Sequence, residues 1–212
     1  MADSDIAGLT QAQSGYVDPT DELIVQKSGE TSVKKIQVDD LFGGWRDLFP
    51  IGFREGSATN APSWAAITGN IYGYRFGVGD ELWLTYHFDH DVKQSATFYP
   101  HVHWLTTGTD NGNVQWRLEY SIAAGHGAGV FPAATTLDLE QAATGVALTH
   151  LVNEDATGIA TPLPDTLMIC KISRIAASVD ELVGNAFLLT VDMHYPTQMY
   201  ATKNRTPNFY TG

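Results

Sequence analysis

The chain has 212 residues, enough for one sizeable core or for one domain with a short appended arm. Lys plus Arg number 12 against 24 acidic residues, and the resulting net charge of −12 excludes nucleic acid as a partner, because the protein's own field opposes a phosphate backbone. A single cysteine, Cys170, excludes an internal disulfide and a multi-cysteine zinc site, and reads as a small buried hydrophobe.

Residues 1 to about 19 are small, polar and acidic with no apolar period, which reads as an arm ordered by a partner. The start MADSDIAGLTQAQSG lacks the basic-then-apolar pattern of a signal peptide, and nowhere do the roughly 18 apolar residues of a membrane helix follow one another. The expectation is a soluble chain with no cleaved leader and no membrane insertion. Next, Leu23 and Val25 form one short alternating run, Ser28-Gly29-Glu30 a turn, and Val33, Ile36 and Val38 a second run, together a small hairpin. Asp39-Asp40-Leu41-Phe42 offers one helical turn before the hinge Gly43-Gly44.

Beyond the hinge the pattern is repeated strands and turns. Strands are expected at Trp45 to Ile51, Ala65 to Phe76, Glu81 to Asp89, Thr97 to Thr106, Asn113 to Ile122, Leu137 to Leu139 with Val146 to Val152, Leu167 to Ala176, and Ala186 to Tyr195. Val114 to Ile122 alternates apolar and polar without a fault. The same rhythm places Leu82, Leu84, Tyr86 and Phe88, then Phe98, Val102 and Trp104, then Phe187, Leu189, Val191, Met193 and Tyr195, on core faces. Asp110-Asn111-Gly112-Asn113 reads as the turn of a hairpin over Phe98 to Ile122. A helical period is weak and confined to Leu137 to Ala147. The fold class is therefore all-β, an antiparallel sandwich of jelly-roll type with an N-terminal arm and hairpin; an immunoglobulin-like sandwich is the alternative, without its Cys and Trp signature. The organisation is an arm and attachment segment over 1–44, a β body over 45–200, and a turn-rich tail over 201–212 carrying Lys203 and Arg205.

The segment DELIVQKSGETSVKKIQVDDL, Asp21 to Leu41, resembles the short N-terminal modules of bacteriophage fibre and appendage proteins. The matching residues are Asp21 or Glu22, Leu23-Ile24-Val25, Gly29, Lys34-Lys35-Ile36 and Asp40-Leu41. A second stretch, HFDHDVKQSATFYPHVHWLTTGTDNGNVQWRLEYSIA, is similar to a pattern in phage and prophage virion proteins: a His-rich strand, P-H-V-H-W, a Gly turn, and V-x-W-x-L-E-Y. The resemblance implies a homotrimeric virion protein on the particle exterior, assembled in the host cytoplasm. The same resemblance implies attachment to other virion proteins through Leu23, Val25, Lys34, Lys35, Ile36, Asp40 and Leu41. With no coiled-coil heptads and no β-helix repeat, a small head fibre, decoration protein or tail-fibre component fits better than a long receptor-binding fibre.

If the apolar residues face the core, the opposite face carries Thr85 and His87, then His101 and His103, then Arg117 and Glu119, with Thr190, Asp192 and His194 joining if their strand shares the sheet. One use of such a face is cross-strand hydrogen bonding and packing against a sister subunit. Another is a metal ion held by His101 and His103, either in a cupin-like site completed by a carboxylate such as Asp89 or Glu119, or on a trimer axis with two histidines from each chain. The first use is the economical one, so no cofactor is expected, and no P-loop, G-x-S-x-G or placed pair of catalytic acids argues for an enzyme. His90 falls at a turn, and His126 and His150 carry no signal. Trp64, Tyr72, Tyr74, Tyr99, Phe209 and Tyr210 read as exposed aromatics suited to a subunit interface or to stacking on a host-surface glycan, the latter making the body a carbohydrate-binding module.

Overall fold

A computed structural model describes residues 22–25, 34–37, 44–57, 59–93, 95–160, 163–198, 205–206 and 208–209. Among them every regular element is a β-strand. They are β1 (Glu22–Val25), β2 (Lys34–Gln37), β3 (Gly44–Leu48), β4 (Gly52–Glu55), β5 (Ser63–Thr68), β6 (Ile71–Phe76) and β7 (Glu81–Phe88). There follow β8 (Thr97–Thr106), β9 (Asn113–Ala124), β10 (Thr135–Ala142), β11 (Leu151–Glu154), β12 (Ile159–Ala160), β13 (Thr166–Ile175) and β14 (Ala186–Thr197).

β1 and β2 pair antiparallel with each other, Leu23 opposite Ile36 and Val25 opposite Lys34. The expected attachment residues Leu23, Val25, Lys34, Lys35 and Ile36 thus lie in this hairpin, while Asp40, Leu41 and the helical turn expected at Asp39 to Phe42 fall outside the described residues. The remaining strands form two antiparallel sheets. One has the order β10-β9-β13-β7-β4; the other runs β11-β8-β14-β6-β5, with β12 also on β8 and β3 also on β14.

Alternation dictates the packing. Leu82, Leu84, Tyr86 and Phe88 of β7, Val114, Trp116 and Leu118 of β9, and Met168, Cys170 and Ile172 of β13 turn inward from the five-stranded sheet. They meet Phe98, Val102 and Trp104 of β8 and Leu188, Val191, Met193 and Tyr195 of β14. Burying a large apolar side chain contributes about 1.5–3 kcal/mol, so these rows account for two sheets closing face to face. Edge-on ring pairs span the gap, Phe88 against Phe98 at 4.7 Å and Phe76 against Trp116 at 5.3 Å. The Tyr86 hydroxyl donates across it to the Val191 carbonyl at 2.7 Å, the partner a buried phenol requires.

Cys170 is buried, and burial pushes its thiol up to about 12, so it behaves as the inert hydrophobe its context predicts. Arg174, also fully buried, donates to the carbonyls of Phe76, Leu182 and Gly184 and to Glu181, tying the 181–184 loop to the end of β6.

Several expectations change. The strand expected over Ala65 to Phe76 is the hairpin β5-β6, broken at Gly69, whose φ of +51° makes the turn. The hairpin expected over Phe98 to Ile122 does not form: β8 and β9 belong to different sheets, because each already has neighbours on both sides and both bury one face in the same core. In β14 the alternation slips at a bulge between Leu188 and Thr190, so Ala186 and Leu188 face the core before it and Val191, Met193 and Tyr195 after it. Leu189 is consequently exposed, and Phe187, although buried, is not among the inward row. The weak helical period at Leu137 to Ala147 is strand β10 followed by turns, with the next strand, β11, starting only at Leu151. Strands β4 and β12 are too short to announce themselves.

Candidate functional site

The polar face expected to unite six residues is two faces. His87, Arg117 and Glu119 belong to β7 and β9 and look outward from the five-stranded sheet. His101, His103 and His194 belong to β8 and β14 and look outward from the other. Strand order separates them, since the core lies between.

On the five-stranded sheet the polar groups are satisfied in water. Arg117 grips Asp138 of β10 with two hydrogen bonds of 2.7 and 2.6 Å, and Glu119 accepts from Lys171 of β13 at 2.5 Å. The guanidinium beside it holds the Asp138 carboxyl below its usual range. His87 lies 3.7 Å from Asp89 and 3.5 Å from Asp165. Asp165 also meets His90, at the predicted turn, at 3.2 Å, and His126 at 3.0 Å. The Phe209 ring packs on those two imidazoles and is buried, so it is not the exposed aromatic expected from the sequence. Tyr210 lies outside the described residues.

The seven-stranded sheet assembles a denser group, and register builds it. His101 of β8 stands opposite Glu154 of β11 on one side and Asp192 of β14 on the other, while His194 of β14 stands opposite Asp47 of β3. Period two keeps His103 on the same face as His101, and Asp192 on that of His194. The result is a patch of imidazoles and carboxylates. His101 Nε2 is 3.2 Å from Asp192 Oδ2, and His103 Nε2 is 3.4 Å from Asp192 Oδ1. His194 bonds Glu154 through Nδ1 and lies 3.0 Å from Asp47 through Nε2, its ring 4.0 Å from that of His101. His103 Nδ1 meets His150 Nε2 at 2.7 Å.

Asp192 and His101 are buried at 3% and 1% exposure, which is unusual for a polar pair on the outward side of a sheet. Among the described residues, the ion-pair partners of Asp47, Glu154 and Asp192 are all histidines. Burial, the largest single influence, lowers the His101 pKa, but the Asp192 carboxylate, the Tyr99 carbonyl and Glu154 together outweigh it and the net shift is upward. For His103 burial dominates, and with two imidazoles nearby its pKa falls. His101 Nδ1 faces the Tyr99 carbonyl at 3.3 Å, and since a carbonyl only accepts, that nitrogen carries the hydrogen. Two buried atoms are left with no hydrogen bond, His103 Nε2 and Asp192 Oδ1, and they face each other.

Sequence reasoning named His101, His103 and, conditionally, Asp192 and His194. It missed Asp47, Glu154 and His150, and proposed Asp89 or Glu119 as the carboxylate; both lie on the other sheet's side. The strand expected there ended at Val152 and left Glu154 outside it, and nothing local says that this strand lies beside β8.

Beside this cluster an open cleft is lined by Trp45, Tyr99, Glu154, Ala156 and His194, the two aromatic rings 5.8 Å apart. A second groove opens between the β4 edge of one sheet and the β5-β6 edge of the other, lined by Phe49, Phe53, Trp64, Tyr72 and Leu189 among others.

No protein-family model and no curated protein matches the chain. Among solved structures it is similar to the structure of infectious bursal disease virus Gt strain, at 11% identity and a TM-score of 0.36, over 90% of this chain and 40% of that one. This chain thus spans well under half the length of that protein. It is also similar to a non-crystalline cellulose specific carbohydrate-binding module, at 14% identity and a TM-score of 0.32, over 67% of this chain and 86% of that one.

Proposed function

We propose that the chain is a structural protein of a bacteriophage particle: a homotrimeric head fibre, capsid decoration protein or tail-fibre component. Its N-terminal segment docks on a virion protein, and its jelly-roll-type body projects from the particle exterior. Its work is assembly and adhesion rather than catalysis. The resemblance of Asp21 to Leu41 to phage attachment modules supplies the virion context.

The observation that carries the assembly role is the aromatic groove. Phe49, Phe53 and Trp64 are 55%, 65% and 62% exposed and lie together with Tyr72 and Leu189. Soluble monomers rarely keep such a contiguous apolar patch in water, whereas an interface between copies uses aromatic residues of this kind. An apolar contact also suits subunits that each carry a charge of −12 and would repel through any polar one.

The test is mass in solution by light scattering. The parent chain is expected at three times the chain mass, and the double variant Phe53→Ser with Trp64→Ser at the mass of one folded chain. A monomeric parent would overturn the assembly role. Removing residues 1–43, just short of β3, is expected to leave a folded body that no longer joins particles; unimpaired incorporation would overturn the docking role.

A second reading, glycan binding, is favoured by the cleft that sets Trp45 and Tyr99 beside Glu154 and His194. A glycan array on which binding disappears with Trp45→Ala supports it, and a flat array removes it.

A further inference from the structure

We infer that His101 Nε2, His103 Nε2 and the carboxylate of Asp192 bind one first-row divalent metal ion, of the class of Zn²⁺ and Co²⁺. The inference stands apart from the assembly role and does not depend on it.

The ligand atoms of the three residues all lie within 4.8 Å of one another, close enough to surround one ion. Two imidazole nitrogens and a carboxylate oxygen form a donor set that suits such ions and, with three protein ligands, leaves a further position for water or another group.

The unpaired atoms of the centre call for a cation larger than a proton. A proton on His101 Nε2 satisfies Asp192 Oδ2, yet it leaves Asp192 Oδ1 and His103 Nε2, 3.4 Å apart and buried, with no partner. Turning His103 into the other tautomer does not help, because neither as donor nor as acceptor does its Nε2 make a hydrogen bond. Buried polar atoms without partners destabilise the fold, and one ion meets all of these atoms at once.

The outer contacts have the form that imidazole ligands use. The Tyr99 carbonyl takes the Nδ1 hydrogen of His101, and His150 holds Nδ1 of His103, so both rings aim Nε2 at Asp192. The second group with metal-ligand spacing, Asp47 with His101 and His194, lacks this property. Both ring nitrogens of His194 already face carboxylates, Glu154 and Asp47, and none of its atoms is orphaned. Those two carboxylates instead add negative potential beside the proposed ion.

The test uses the tag-free, full-length chain, stripped with chelator and titrated with Co²⁺ and then Zn²⁺. One equivalent of Co²⁺ per chain is expected to produce visible ligand-field absorption that Zn²⁺ removes, and to raise the thermal midpoint. His103→Ala, whose side chain is only partly buried, and Asp192→Asn are each expected to weaken binding roughly tenfold or more. His194→Ala and His126→Ala are expected to bind like the parent. Failure of the folded parent to bind saturably overturns the inference, as does binding that survives both His103→Ala and Asp192→Asn. Binding lost in His194→Ala and kept in His103→Ala assigns the ion to the other group and also overturns it. Should the ligand variants misfold, proton NMR of the unmutated chain with Co²⁺ decides: the shifted imidazole signals are expected from His101 and His103, and shifts centred on His194 or His126 refute the assignment.

Discussion

The outward faces of both sheets carry charged and titratable side chains and treat them in opposite ways. On the five-stranded sheet, Arg117 with Asp138 and Lys171 with Glu119 form cross-strand pairs of opposite sign whose members remain in water. Such pairs contribute little, because the solvent competes for both partners. On the seven-stranded sheet the same cross-strand geometry places His101 against Asp192, but the flanking residues of β3, β11 and the 150 region shield the pair. There the carboxylate's partner is a weak base rather than a guanidinium, and solvent cannot fill the remaining lone pairs. Register alone makes a pair; burial decides whether it is decoration or a site.

Truncating Asp192 should separate the two faces most widely. In chelator, Asp192→Ala is expected to lower the unfolding free energy by about 2 kcal/mol, since it strands the buried Nε2 of His101. Denaturant titration measures it, and a loss no larger than that of Asp138→Ala would mean that burial on this face has no energetic consequence.

The pH dependence sharpens the contrast. His101 titrates above its ordinary 6.5 because Asp192, with the Tyr99 carbonyl and Glu154, more than offsets the effect of burial. The folded state therefore holds the proton more tightly than the unfolded one, and the stability this contributes is complete below 6.5 and is lost as pH rises through the folded value. His103, lowered by burial, works in the other sense: its contribution is present above 6.5 and is lost as pH falls through its depressed value. The stability gap between the metal-free parent and His101→Gln should accordingly narrow as pH rises above 6.5. A gap that widens as pH rises would contradict the pairing with Asp192.

The smallest effect belongs to the solvent-facing pair. Asp138 is held below its ordinary value of 3.8 by its hydrogen bonds from Arg117, so its contribution is present above 3.8 and disappears as pH falls through the folded value. Acid titration of Asp138→Asn should show a difference from the parent only above that window, and one smaller than for Asp192→Ala, because both side chains stay hydrated. An equal or larger effect would abolish the distinction between the faces.

Much of this was legible in the residues. The strand from Asn113 carries five apolar and four polar positions in strict alternation from Val114 to Ile122, and β9 buries Val114, Trp116 and Leu118 as that order requires. The H-x-H spacing put His101 and His103 on one face, as observed. The alternation failed at Leu189, where one extra residue in β14 reverses the phase, and a bulge leaves no mark in composition. It failed again in uniting His87, Arg117 and Glu119 with His101.

What the sequence by itself determined is the all-β class and the inner and outer side of nearly every long strand, because the side-chain period of two is a local property of extended backbone. Only the tertiary structure decided that β8 lies between β11 and β14, and so that Glu154, Asp192, His194 and Asp47 gather around His101. Strands choose neighbours through backbone hydrogen bonds that every residue can make, and through the fit of two faces over one shared core. Neither is written in the order of side chains along a single strand.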